Sequence, residues 1–282
     1  MIDRETQLRA RRRHGATRQS ALGLRLVTAA VAIPIIVILV WAGARWYTGV
    51  IAALLAAATL EFQMARGSRL TVLVLLAGAL SAGLAIAAHA GGEWLIWVLT
   101  GAALLPLLWA ITAYHVEDAV GEWLWAAGAV LYIGWLGCHL VLLRDVGDGR
   151  DWVFLALFGT FATDTGAYFI GRATGRTPLA PTISPGKTVE GAVGGMACGF
   201  AFVLLLNYFL GLRVGAGQII PLAILLPIAA QAGDLVESKL KRSMQVKDTS
   251  RLLPGHGGLM DRFDSVLFAI VVVYYYLKWV IL

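Results

Sequence analysis

The chain has 282 residues, 59% of them hydrophobic and 14% charged, with a net charge of +6 and a mean hydropathy of +0.76. That balance excludes an ordinary water-soluble domain, and two cysteines in apolar stretches, Cys138 and Cys198, exclude a disulfide framework or a cysteine-rich metal site. In so apolar a chain the excess of cations bears on membrane sidedness, and nucleic acid is not expected as a partner.

In chain order, residues 1–21 form a basic arm carrying Arg11, Arg12 and Arg13, suited to the surface of an anionic membrane. Apolar runs follow near 22–43, 46–64, 70–88, 94–113, 122–143, 152–171, 189–210, 216–236 and 263–282, each about long enough to cross ~30 Å of hydrocarbon as a helix. The expected fold is therefore all-α and polytopic, with about nine transmembrane helices. Pro34, Pro106, Pro221 and Pro227 lie inside these runs, where neighbouring helices can satisfy the disturbed backbone. The first run exceeds a signal-peptide core and lacks an Ala-x-Ala-like cleavage site, so it reads as a retained span. With the N-terminus cytoplasmic, the cytoplasmic segments hold 18 Lys and Arg against five on the other side, which satisfies the positive-inside rule and leaves the C-terminus outside.

The polar chemistry gathers after residue 150. Residues 22–143 thus read as a scaffold of about five helices, and residues 152–282 as the working region of about four helices, with cytoplasmic loops 172–188 and 237–262. Three acids stand where lipid would penalise them: Glu61, Asp164 and Asp234, with insertion scales charging about 3 kcal/mol for a central Asp. Asp234, Glu237 and Lys241 have the i+3 and i+7 spacing of one helical face. Although 70 residues apart, Asp164 and Asp234 carry the hard oxygen donors that a divalent cation such as Mg2+ takes. Glu61, near Arg66 and Arg69, either pairs structurally or lines a substrate chamber. His89 and His115 lack metal-ligand spacing and read as structural or solvent-facing.

Residues 181–188 have the outline of a phosphate loop, but Pro181 stands where a Walker A pattern needs Gly, and no preceding strand is expected. Ser184, Lys187 and Thr188 nevertheless precede an apolar helix, and hydroxyls, a cation and N-terminal N–H groups there can cradle phosphate. Glu190 falls in the first turn of that helix. Gly191, Gly195 and Gly199 recur every four residues, a smooth face for close helix packing that would also allow a homodimer. From Asp234 to Asp264, five acids interleave with six cations and flexible glycines, a mixture that suits metal plus phosphate better than a surface salt-bridge loop.

This last segment resembles the phosphatidate cytidylyltransferase, or CDP-diacylglycerol synthase, family. Its signature is matched over 238–264 by Ser238, Lys241 and Arg242, Lys247 and Asp248, Pro254, His256, Gly257 and Gly258, Asp261 and Arg262, and Asp264. Asp164 to Tyr168, and Ser184-Pro185 with Lys187, Thr188, Glu190 and Gly191, extend the resemblance over about 160–265. Gly186 departs from the family's usual second Lys, a loss that Arg172, Arg176 or Arg242 could offset.

The resemblance implies a multi-pass enzyme of a bacterial-type cytoplasmic membrane that joins CTP and phosphatidate to give CDP-diacylglycerol and pyrophosphate, with one or two Mg2+ ions. It implies Asp234 and Asp261 nearest the metal, with Asp164, Asp248 and Asp264 as further ligands or supports. Lys187, Lys241, Arg242, Lys247 and Arg262 would be donors to the anionic reactants, with His256 on phosphate or fixing its loop, and Ser184, Thr188, Gly257 and Gly258 shaping the cradle. Two other readings remain open at this stage: an ion-coupled transporter using Asp164 and Asp234, and another lipid-phosphate enzyme such as a lipid kinase. No inverted repeat favours the transporter.

Overall fold

The computed structural model describes residues 34–68, 70–112, 118–250 and 257–282. Among them are eight helices long and apolar enough to span a membrane: α1 (Arg45–Ala65), α2 (Val72–Ala90), α3 (Glu93–Thr112), α4 (Ala119–Arg144), α5 (Gly149–Thr174), α6 (Val189–Phe209), α7 (Ala216–Ser243) and α8 (Asp264–Ile281). The expected first span falls partly outside the described residues, and 34–41 of it are helical. The architecture is thus all-α and polytopic. One exception interrupts it, a hairpin in which β1 (Pro178–Ala180) pairs antiparallel with β2 (Ser184–Thr188) in the register Ala180 to Ser184.

Side-chain caps set several helix starts. Thr71 accepts from Val74 N before α2, Asp118 from Gly121 N before α4, and Thr188 from Gly191 N before α6, each satisfying an otherwise orphaned donor. Pro106 in α3 and Pro221 and Pro227 in α7 are carried without ending the helix. α4 loosens into a π-helical stretch over Val130–Trp135.

α7 runs on through Ser243, well beyond the apolar run that ends near 236. The extra turns are polar and expose Lys239, Arg242 and Ser243 on one side, while on the other Glu237 is fully buried and pairs with Lys241 one turn on. Helix and loop therefore part at Ser243, where hydropathy alone places the loop at 237.

The tightest packing joins α5 to α6, α1 to α2 and α7 to α8. Between α5 and α6 the glycine face is the cause. A Cβ on Gly195 would stand 2.7 Å from Thr163 O, and one on Gly191 2.8 Å from Ala167 O, so only glycine lets these backbones meet. Gly199 likewise faces Pro227 of α7. The stripe is filled from within the chain, by Thr163, Ala167 and Pro227. Leu55, Leu84, Ile133, Leu155, Leu226 and Leu267 are fully buried between the helices, whereas Trp46, Trp97, Tyr208 and Trp279 are exposed, as lipid-facing aromatic residues are.

Candidate active site

Where the C-terminal half of α5, the hairpin, the start of α6 and the later turns of α7 meet, the chain encloses a cavity of about 530 Å3. Asp164, Tyr168 and Arg172 line it from successive turns of α5, Lys187 and Thr188 from the end of β2, and Gln231 and Asp234 from α7. The close α5–α6 approach at Gly171 and Gly191 is what sets the hairpin against this wall. Lys187 Nζ lies 2.5 Å from Asp234 Oδ2, joining hairpin to helix. Arg172 donates to Tyr168 Oη at 2.9 Å, and Gln231 donates to Ala192 O at 3.1 Å.

β2 passes directly into α6, so a strand does precede this helix, although in an antiparallel hairpin and not in the parallel sheet of a Walker A site. Thr188 Oγ1 accepts from Gly191 N at 3.1 Å, which leaves its O–H proton available to a ligand. Glu190 does not reach Lys187. Its carboxylate instead accepts from Arg176 N, Thr177 N and Thr177 Oγ1 at 3.0–3.2 Å, holding the entry of the hairpin onto α6. Ser184 begins β2, and Gly186 lines the cavity with open space where a Cβ would project. Arg242 donates to Ile183 O and Val246 O, bracing the hairpin against the end of α7.

Asp164 reaches a second acid through α8. Ser265 Oγ donates to Asp164 Oδ1 at 3.2 Å, and Ser265 N donates to Asp264 Oδ1 at 2.7 Å. α8 comes this close because Gly233 leaves room, a Cβ there standing 2.5 Å from Asp264 O. Asp164, Asp234 and Asp264 thus lie within electrostatic range of one another. Among the described residues no three acidic, histidine or cysteine side chains form a ready-made metal cage. The donors nonetheless fit Mg2+, which takes one or two carboxylates and fills its octahedron with water and substrate phosphate. Lys187 meets Asp234 directly and lies within range of Asp164, while Lys241 and Arg262 lie within range of Asp264, so the carboxylates and cations are interleaved.

Asp261 is engaged differently. Its Oδ1 takes Lys241 Nζ at 2.8 Å, and its Oδ2 takes Gly258 N at 2.8 Å and Thr249 N at 3.2 Å. Burial alone would raise this carboxyl, but the Lys241 ammonium and the two N–H donors outweigh it and hold it below the ordinary aspartate range. Lys241 is shared, 2.9 Å from Glu237 Oε1 as well. Gly257 has a left-handed φ of 79°, and a Cβ on Gly258 would collide with Glu61 Oε1 and Thr249 Oγ1, so each glycine is required for its own reason.

The structure therefore groups Asp164, Lys187, Thr188 and Asp234 around one cavity, with Asp264 behind it, and sets Lys241 and Asp261 in an adjoining network with Glu237. Lys247, Asp248 and Arg262 are exposed on the neighbouring loop and turn. His256 and Pro254 lie outside the described residues. Sequence reasoning missed Gln231 and Ser265, uncharged residues that carry no signal in hydropathy. It left Glu61 between structural pairing and lining a chamber; among the described residues its partners include Thr249, Leu259 and Met260. Arg66 pairs with Glu122 at 3.4 Å.

The sequence profile of the cytidylyltransferase family matches residues 23–280. The phosphatidate cytidylyltransferase of Staphylococcus saprophyticus is 40% identical over 146 residues, 51% of this chain and 56% of that protein. That of Staphylococcus epidermidis strain RP62A is 35% identical over 181 residues, 64% and 69% of the two chains. That of Staphylococcus aureus strain COL is 34% identical over 184 residues, 64% and 70%. The matched part spans little more than half of the first relative and about seven tenths of the other two.

Proposed function

The chain belongs to the cytidylyltransferase family, and we propose that it transfers the cytidylyl group of CTP to phosphatidate, giving CDP-diacylglycerol and pyrophosphate. The observation that carries this reading is the cavity bounded by Asp164, Lys187, Thr188 and Asp234, which combines oxygen donors for a cation with donors for phosphate at the start of a helix. The matched proteins of Staphylococcus saprophyticus and Staphylococcus epidermidis bear the name of the same activity.

An oxygen of the lipid phosphate attacks the α-phosphorus of CTP. The bond from that phosphorus to the bridging oxygen breaks, and pyrophosphate leaves with the electron pair. Phosphatidate is already an anion near neutral pH, so the chain need not supply a base to generate the nucleophile. Its task is to bring two anions together and hold them in line. Lys187 and Arg172 offer positive charge from two walls of the cavity, and the Thr188 hydroxyl offers a directed proton. Arg242, Lys247 and Arg262, on the loop side, suit the nucleotide and its leaving group. Mg2+, held by Asp164, Asp234 and Asp264, would offset phosphate charge as a Lewis acid when bound. Asp261, with both oxygens engaged, fits a holder of Lys241 and of the Gly257-Gly258 turn better than a direct metal ligand. The cavity faces the cytoplasm in this reading, with the N-terminus on the same side and the C-terminus outside, which the distribution of Lys and Arg supports.

Purified protein in lipid vesicles, given phosphatidate, CTP and Mg2+, is expected to form CDP-diacylglycerol and pyrophosphate in equal amounts. A phosphorylated lipid and CDP as the only products would overturn the proposal in favour of a lipid kinase.

A further inference from the structure

Glu61 lies in α1, almost 190 residues before the loop that carries the signature, and it is buried with 6% of its surface exposed. Its Oε1 accepts from Thr249 Oγ1 and from Met260 N at 3.2 Å, and its Oε2 accepts from Leu259 N at 2.8 Å. Asp261 takes Gly258 N from the same turn and Thr249 N from the loop that follows α7. The three successive N–H groups from Gly258 to Met260 are thus all directed at carboxylates, one from the turn itself and one from α1. The fit is close, since a Cβ on Gly258 would strike Glu61 Oε1. Burying an ionisable side chain in a membrane helix is costly, and a simple tie between two elements can be made with neutral groups.

We infer that Glu61 is a positioning residue for cytidylyl transfer, orienting the 257–262 turn so that Arg262, Asp264 and the Asp261-held Lys241 stand in register with the cavity wall formed by Asp164 and Asp234. The inference rests on the cytidylyl-transfer reading of that cavity. Glu61 touches no reactant. It acts through the backbone N–H groups it holds, and the part of the chain that supplies it is the first half, which hydropathy marks only as scaffold.

The test is steady-state kinetics of full-length Glu61→Gln in lipid vesicles, beside Thr249→Val, the double variant, and Glu122→Gln as a carboxylate removed elsewhere. Glutamine keeps the shape but turns an N–H2 toward N–H donors. The expected result is an unfolding midpoint near that of the wild type and a kcat lowered about 10- to 100-fold, with KM for CTP and phosphatidate changed by less than about twofold. Thr249→Val is expected to lose less, and the double variant to be no worse than Glu61→Gln, because the two act through one contact. Glu122→Gln should match the wild type. Unchanged kcat in both Glu61→Gln and Thr249→Val, with the wild type active, would overturn the placement of Glu61, as would a loss fully accounted for by a smaller folded fraction. A wild type that forms no CDP-diacylglycerol in the same vesicles would overturn the cytidylyl-transfer reading, and this inference with it.

Discussion

In the proposed site Asp261 would serve without facing the reactants. Its two oxygens are spent on Lys241 and on two backbone N–H groups. Its pKa lies below the ordinary value, so the charged form is the one that folding favours. The stabilisation is therefore present at neutral pH and is lost only as pH falls through the depressed folded value. The stability difference between wild type and Asp261→Asn, followed by thermal unfolding in detergent, is expected to be constant from pH 8 down to about 5 and to close below about pH 4. A gap that widened toward acid would contradict the assignment. Lys241 has the complementary position, held between Glu237 and Asp261 at 2.9 and 2.8 Å. It meets two carboxylates, where Lys187 on the cavity wall meets one, Asp234.

Among elements, the decisive contact is α5 against α6. Asp164 sits on one and Lys187 lies two residues before the other, so their separation is fixed by how closely the glycine face packs. Gly195→Leu would push its side chain against the Thr163 carbonyl, 2.7 Å from where the Cβ must stand, and a backbone carbonyl cannot rotate away. The expected cost is about 1–3 kcal/mol of stability, read as a lowered unfolding midpoint, together with loss of turnover in the molecules that remain folded. A variant of wild-type stability and turnover would mean that the two helices can move apart without harm to the site.

This glycine period was legible in the sequence because packing in lipid leaves a fixed spacing, and the spans were legible because hydrocarbon demands length. The hairpin was not. Pro178–Ala180 and Ser184–Thr188 are short and carry no apolar alternation, being held by Glu190 and by Arg242 from elsewhere in the chain. The extension of α7 to Ser243 was legible only in part, since the spacing of Asp234, Glu237 and Lys241 marks one helical face while hydropathy places the loop at 237, and the burial and pairing of Glu237 decide for the helix. Asp164, Lys187 and Asp234 were readable from charge in apolar or helix-start settings. Gln231 and Ser265 were not, because their roles depend on which backbone carbonyl or carboxylate the fold brings to them.

For the whole molecule, the arrangement is a bundle of long apolar helices whose polar interior is concentrated where α5, α6, α7 and α8 meet. Distance along the chain is no guide to membership of this interior, for Glu61 arrives from α1 and Asp264 from the start of α8. In the proposed mechanism, acids and cations from several helices form a single phosphate-handling chamber that moves the nucleotide's α-phosphoryl group. The direct measurement is the fate of label from CTP carrying phosphorus-32 at either the α or the γ position, with wild type and Asp234→Asn compared in vesicles containing phosphatidate. The account predicts α-label in the lipid and γ-label in pyrophosphate for the wild type, with α-label transfer reduced about 100-fold or more in the correctly inserted variant. Lipid carrying the γ-label, or equal α-label transfer by both proteins, would contradict it.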